Sequence, residues 1–338
     1  MITQIPVEKT PALPEPRGPV STALIAALRL GPESASLPAV TADGFDPFGE
    51  DLQLALYTCY ELHYRGFDLV PAEWEWEPEL LRVRRVLENA FLAALRARTP
   101  GGDDVSGELE ELLVEHVDED GVSHHLRDRG ELWQLREYVT HRSIYHLKEA
   151  DPHAWVIPRL RGAAKAALVA VEYDEFGGGR AEMMHARLFA GLMDELGLDP
   201  AYGAYLDRAP ARMLAIVNMM SLFGLHRALR GALVGHFAAA EITTPPTAHR
   251  MSQALRRFGV GPRGTLFFTE HIEADAVHEQ VLRRDVIGDL LRTEPSLAPD
   301  VVLGVQATRL LEARLDAHLL ASWRAGRCSL RRPAPVAP

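Results

Sequence analysis

Cysteine is almost missing. Cys59 and Cys328 are the only two in 338 residues, which excludes a disulfide framework or a cysteine-built structural zinc site and fits a reducing compartment. Positive charge is also short: 36 Lys and Arg stand against 47 Asp and Glu, a net charge of −11. With no basic run to offset that balance, nucleic acid is excluded as a partner. No apolar run reaches the roughly 18 residues of a membrane-spanning helix, so no membrane partner is expected. The proline-rich start (Pro6, Pro11, Pro14, Pro16, Pro19) has no hydrophobic signal region, and the cytoplasm is the expected location. Alternating strand patterns and serine or cysteine nucleophile motifs are absent too.

What is present is helical periodicity and enough apolar residues, 47%, for a large core. Apolar spacing predicts helices over 49–64, 79–98, 103–120, 130–150, 155–174, 180–196, 210–226, 227–242, 248–258, 265–291 and 301–324. The acidic side of 103–120 reads as a solvated face. The nearly all-apolar run 210–226, with Met213, Met219 and Met220, reads as buried. Helix 227–242 is expected to stop at Thr243-Thr244-Pro245-Pro246. The class is therefore all-α. Residues 1–45 read as a mostly disordered leader with a short helix near 21–30, 46–130 as an N-terminal helical extension, 131–326 as the main bundle and 327–338 as a flexible tail.

Chemistry gathers in three places. The run EYDEFGGGRAEMMH has an acidic end (Glu172, Asp174, Glu175), then Gly177-Gly178-Gly179, then Glu182-x-x-His185. Residues three apart share a helical face, and a carboxylate beside an imidazole is half of an iron or manganese site in helical proteins. Three glycines predict a broken helix, which can bring Glu175 and His185 to one point although they are ten apart. The plain alternative is a solvated face. The second place is His271-x3-Asp275-x2-His278, whose helical period puts two imidazoles and a carboxylate on one face, a donor set that suits redox-active iron. The third is Glu241, at the expected C-terminus of an apolar helix, where a carboxylate opposes the macrodipole and a cation would compensate it. Together these are four carboxylates and three imidazoles on three helical units.

The order Glu175–Glu182–His185, Glu241, His271-x3-Asp275-x2-His278 resembles the haem-oxygenase-like di-iron oxidases, a family of iron-containing redox enzymes, over residues 132–324. The resemblance implies a helical bundle of haem-oxygenase topology without haem, with an extension in front of it. It implies two Fe(II) ions, the second weakly held, with O2 as co-substrate and a peroxo-di-ferric species that attacks a small organic substrate resembling an amino or fatty acid. Carried over, Glu175, His185 and Glu241 hold one iron, with Glu241 bridging, and His271, Asp275 and His278 hold the other. Glu182 matches a carboxylate that some members use, and Glu149 an accessory acidic position on the preceding helix. An unidentified electron donor and a homodimer are the expected partners. Two other readings stay open: a ferritin-like di-iron carboxylate oxidase, which needs paired Glu-x-x-His helices, and a metal-free binding protein of the thiamine-salvage-like fold.

Other features are set aside. Gly259-x-Gly261-x-x-Gly264 follows a helical pattern rather than a strand, which removes the nucleotide-loop reading. His124 and His125 read as surface residues, His141, His146 and His153 as core or supporting residues, and Trp74 and Trp76 as packing at a helix start.

Overall fold

Apolar residues recur at helical spacing along the chain, and in the computed structural model they fold into helices throughout, with no strand among the described residues. The structure describes residues 10–37, 40, 44, 46–114 and 121–332, without the side chains of 273–276. The N-terminal part contributes α1 (Pro19–Leu28), α2 (Glu50–Glu61), α3 (Pro78–Arg98), α4 (Val105–Leu112) and α5 (Val122–Asp128). The rest contributes α6 (Leu132–His146), α7 (Asp151–Ala154), α8 (Gly162–Glu175), α9 (His185–Glu195), α10 (Ala211–Leu225), α11 (Arg230–Arg257), α12 (Pro262–Gln280), α13 (Gly288–Thr293) and α14 (Ala298–Arg324). A π-helical turn, Val281–Ile287, joins α12 to α13. No helix is long and apolar enough to cross a membrane.

Three departures from the periodic reading bear on the site. Helix α11 does not stop at the proline pair but runs through Pro245 and Pro246. Proline removes an amide donor and crowds the carbonyl four residues back. The carbonyls four residues back are those of Glu241 and Ile242; in the turn before the pair the Thr243 hydroxyl donates to Ala239 O at 2.9 Å and that of Thr244 to Ala240 O at 2.8 Å. Glu241 is therefore mid-helix, and the dipole argument for it fails. Helix α6 ends at His146, so Glu149 lies in a turn and not on a helix. Of the expected helix 103–120, Val105–Leu112 is helical, and 115–120 lies outside the described residues. Two surroundings also differ: His125 is buried, bonded to Gln134 and stacked on Trp323, while Trp76 is exposed.

The core is set by α10, buried along most of its length with Met213, Met219 and Met220, and by the close approach of α11 to α14. A Cβ on Gly304 would stand 2.0 Å from Ala232 O, and one on Gly235 would stand 2.1 Å from Val301 O. Both obstacles are backbone and cannot rotate away, so only glycine lets the two helices touch. Gly304→Ala is expected to destabilise the protein by about 3 kcal/mol, at the upper end of overpacking costs, as measured by urea unfolding; a variant as stable as the parent would disprove the close approach.

The N-terminal helices pack on this core. Asn218 on α10 donates to Gln53 O and Oε1 on α2 at 2.8 and 2.7 Å. The proline-rich start, whose composition alone suggests disorder, is tied down from residue 10 onward: Asp68 N donates to Pro11 O at 2.8 Å, and the buried Arg17 guanidinium bonds Leu206 O and Ala209 O. At the other end Ser329 is held by Glu137 Oε2 through its amide and hydroxyl at 2.9 and 2.6 Å.

Candidate metal centre

The glycine run makes the first part of the site. Gly177, Gly178 and Gly179 have φ of 75°, 61° and 80°, the left-handed region that side chains disfavour. They reverse the chain between the last residue of α8, Glu175, and the first of α9, His185. Glu175 Oε2 then lies 2.9 Å from His185 Nδ1, and both side chains are buried. The same break moves Glu182 off the helix into a 3-10 turn, Ala181–Met183, so it does not share a face with His185. Glu182 is exposed, in a surface cleft of about 380 Å³ with Arg187, Asp194 and Arg263.

The remaining donors meet Glu175 and His185 from three other elements, and two buried clusters result. Glu149, His185 and His271 form one and Glu175, Glu241 and His278 the other, the donor atoms of each lying within 4.8 Å of one another. This differs from the grouping carried over from the resemblance, in which His271 and His278 share an ion. Seven residues along α12 rise about 10.5 Å, whereas a single ion with bonds near 2 Å spans far less; one helical face can therefore serve two ions but cannot close on one. Glu175 links the clusters, with Oε2 on His185 and Oε1 3.7 Å from His278 Nδ1. Glu241 Oε2 lies 3.2 Å from the same Nδ1. Glu149 thus stands inside a cluster, Glu182 outside both, and the side chain of Asp275 lies outside the described residues.

Whether a cation fits follows from the protons. His271 Nδ1 is 2.6 Å from the Phe267 carbonyl, which only accepts, so Nδ1 carries the hydrogen and Nε2 is the nitrogen left to meet a ligand. That nitrogen faces Glu149 Oε1 at 3.9 Å. A cation between the two would take the place of the ring proton that otherwise joins them. At the second cluster Glu175 Oε1 is buried with no hydrogen-bond partner, a state that costs stability unless something binds it. Carboxylates with imidazoles in a dry site are the donors of non-haem iron, and both clusters fit such an ion.

Supporting groups surround the donors, and periodicity alone did not mark most of them. His146 Nδ1 lies 3.0 Å from Glu149 Oε2. Burial would raise the Glu149 carboxyl, but His146 and His271 hold it well below the usual range. Asp174, although largely exposed, places Oδ2 3.2 Å from His278 Nε2, the outer-carboxylate arrangement that fixes a metal-binding imidazole. Glu172 is buried with both oxygens unpartnered, and burial, with Glu175 and Glu241 nearby, pushes its carboxyl up to about 9. Burial first, then the charges of Glu149, Glu175, Glu172 and Glu241, push the Tyr145 phenol well up, which puts that ring in the field of both clusters. Phe267 and Phe189 pack edge to face at 5.0 Å, and Phe267 lies 4.3 Å from the His271 ring, closing an apolar wall.

Such a bundle, with two adjacent clusters of histidine and carboxylate in its interior, defines a helical metalloprotein. A family model described as iron-containing redox enzyme matches residues 136–313, and the chain belongs to that family; its fold is the all-α, haem-oxygenase-like one. The chain is also similar to nitrosourea synthase of Streptomyces achromogenes subsp. streptozoticus, 26% identical over 166 residues, which are 49% of this chain and 35% of that protein. It therefore spans about a third of the length of the curated relative it matches.

Proposed function

We propose that this protein is an O2-dependent non-haem di-iron oxidase or oxygenase acting on a small organic substrate, with electrons from a separate donor. The observation that carries the reading is the pair of buried clusters joined through Glu175. Glu149, His185 and His271 would hold one iron and Glu175, Glu241 and His278 the other, with Asp275 on the same face of α12 as a further candidate. When bound, two ferrous ions would supply the electrons that activate dioxygen. The chain's own part is positional. The Phe267 carbonyl fixes the tautomer of His271, Asp174 takes the outer nitrogen of His278, and His146 orients Glu149. Phe189 and Phe267 keep water from the first cluster. Likeness to a nitrosourea synthase makes nitrogen-bearing compounds the first substrates to screen, ahead of fatty acids.

The test is to load apo-protein anaerobically with ferrous iron, count what survives desalting, and then admit oxygen while recording the visible spectrum. Iron in both clusters and an oxygen-dependent absorption change are expected. A protein that retains no iron is not a di-iron enzyme, and the metal-free binding fold would replace this reading.

A further inference from the structure

We infer that the N-terminal helical segment builds part of the metal centre: the buried ion pair between Glu61 and Lys148 fixes the turn that presents Glu149. This rests on the proposed metal reading and adds a positioning role for residues outside the region the family model matches, since Glu61 precedes residue 136.

Among the described donors, Glu175 ends α8, His185 begins α9, Glu241 is inside α11, and His271 and His278 are on α12. Glu149 is different. It lies between the end of α6 at His146 and the start of α7 at Asp151, where no helical hydrogen-bond ladder sets the direction of its side chain. Such a turn needs anchors. One is His146, at 3.0 Å from Glu149 Oε2. Another is the neighbouring residue. Lys148 is 1% exposed and Glu61 0%, and Lys148 Nζ donates to Glu61 Oε2 at 3.0 Å. The ammonium also lies over the rings of Tyr64 and Tyr57, at 4.3 and 4.9 Å from their centroids, an arrangement that stabilises a desolvated cation.

Glu61 has its own need for this cation. It is the last residue of α2, where a buried carboxylate faces the negative end of the helix. Its other oxygen, Oε1, accepts from the Tyr202 hydroxyl at 2.7 Å, so the pair is satisfied on the carboxylate side. Buried charges that lose a partner must move or become neutral. Loss of Glu61 would therefore release Lys148 from its cage, and the adjacent Glu149 would lose one of the anchors that aim it at His271.

The experiment is a ferrous titration of apo-protein under argon. Iron count and the circular dichroism of the ferrous ligand-field bands are read for the parent, Glu61→Gln, Lys148→Met and the double variant, with thermal unfolding followed for each. The expected result is 10–100-fold weaker binding at the first cluster in both single variants, the range for loss of a group that orients a ligand, with the second cluster's bands unchanged. The double variant, which leaves no unpaired charge, should recover thermal stability but not the first-cluster affinity. If the single variants fail to fold, the double variant decides. Iron binding that matches the parent's, or that returns together with stability in the double variant, overturns the positioning role. A parent that binds no iron overturns the metal reading instead.

Discussion

A Glu175→Ala protein is expected to lose iron from both clusters, and a His271→Ala protein from one. Glu175 has one oxygen toward each cluster, Oε2 on His185 of the first and Oε1 facing His278 of the second. Its removal takes a donor from the second cluster and the hydrogen-bond partner of His185 from the first. Even a supporting partner is worth about 10–100-fold in metal affinity, so the loss of a ligand that also supports its neighbour should exceed about 100-fold at the second cluster. His271→Ala leaves Glu175, Glu241 and His278 in place, and the second ion should stay. Glu182→Ala, an exposed change outside both clusters, should keep both ions. Anaerobic iron counting on the three variants separates these outcomes. Equal iron in Glu175→Ala and the parent would remove Glu175 from the centre, and loss of iron in Glu182→Ala would restore the spacing argument that the structure overrides.

The metal-free protein is expected to be most stable near pH 6.5 and to weaken in both directions. On the acid side stand three buried histidines outside the metal clusters. Burial first, then neighbouring cations, lowers His141 to about 3; burial lowers His236 to about 4; burial, with His236 beside it, lowers His153 well below its ordinary value. They are neutral in the fold and gain a proton on unfolding, so their contribution is full above the unfolded value of 6.5 and is lost as pH falls toward the folded values. Each costs about 1.4 kcal/mol per pH unit in that window, and the three together about 4 kcal/mol per unit. Against a typical stability of about 5–15 kcal/mol, acid unfolding within a few units of pH 6.5 follows. On the alkaline side Glu172, raised to about 9, stays protonated in the fold while the unfolded chain ionises. Its contribution is full at low pH and falls by about 1.4 kcal/mol per unit as pH rises toward 9. Urea unfolding across pH checks both limbs. His153→Leu, which removes a ring with no hydrogen bond to lose, should take about a third of the acid slope, and Glu172→Gln should flatten the alkaline limb. Unchanged profiles in both variants would disprove the assignment.

Much of this was legible in the chain because helices carry a period. The all-α class and the shared face of His271 and His278 follow from spacing alone, and the glycine run announced the reversal that joins Glu175 to His185. What was not legible has physical causes. Spacing tells which residues share a face but not how far apart they sit along it, so His271 and His278 looked like partners although two turns separate them. A four-residue turn has no period, and the place of Glu149 was hidden for that reason. Pro245 and Pro246 signal a stop, yet α11 continues through them and carries Glu241 in its middle. His125 looked solvated among charged neighbours because no local pattern anticipates its distant stacking partner, Trp323.

The glycine reversal also bears on time. Glu175 and His185 are ten residues apart, and Glu241 and His278 are 37 apart on consecutive helices. Loop-closure entropy grows with the logarithm of length, so closing the ten-residue loop costs about 1 kcal/mol less than closing the 37-residue one. Every side chain of both clusters leaves the ribosome before α14, the helix that locks onto α11 at Gly235 and Gly304. The donors of both clusters are therefore all encoded ahead of the helix whose glycine contact closes the core.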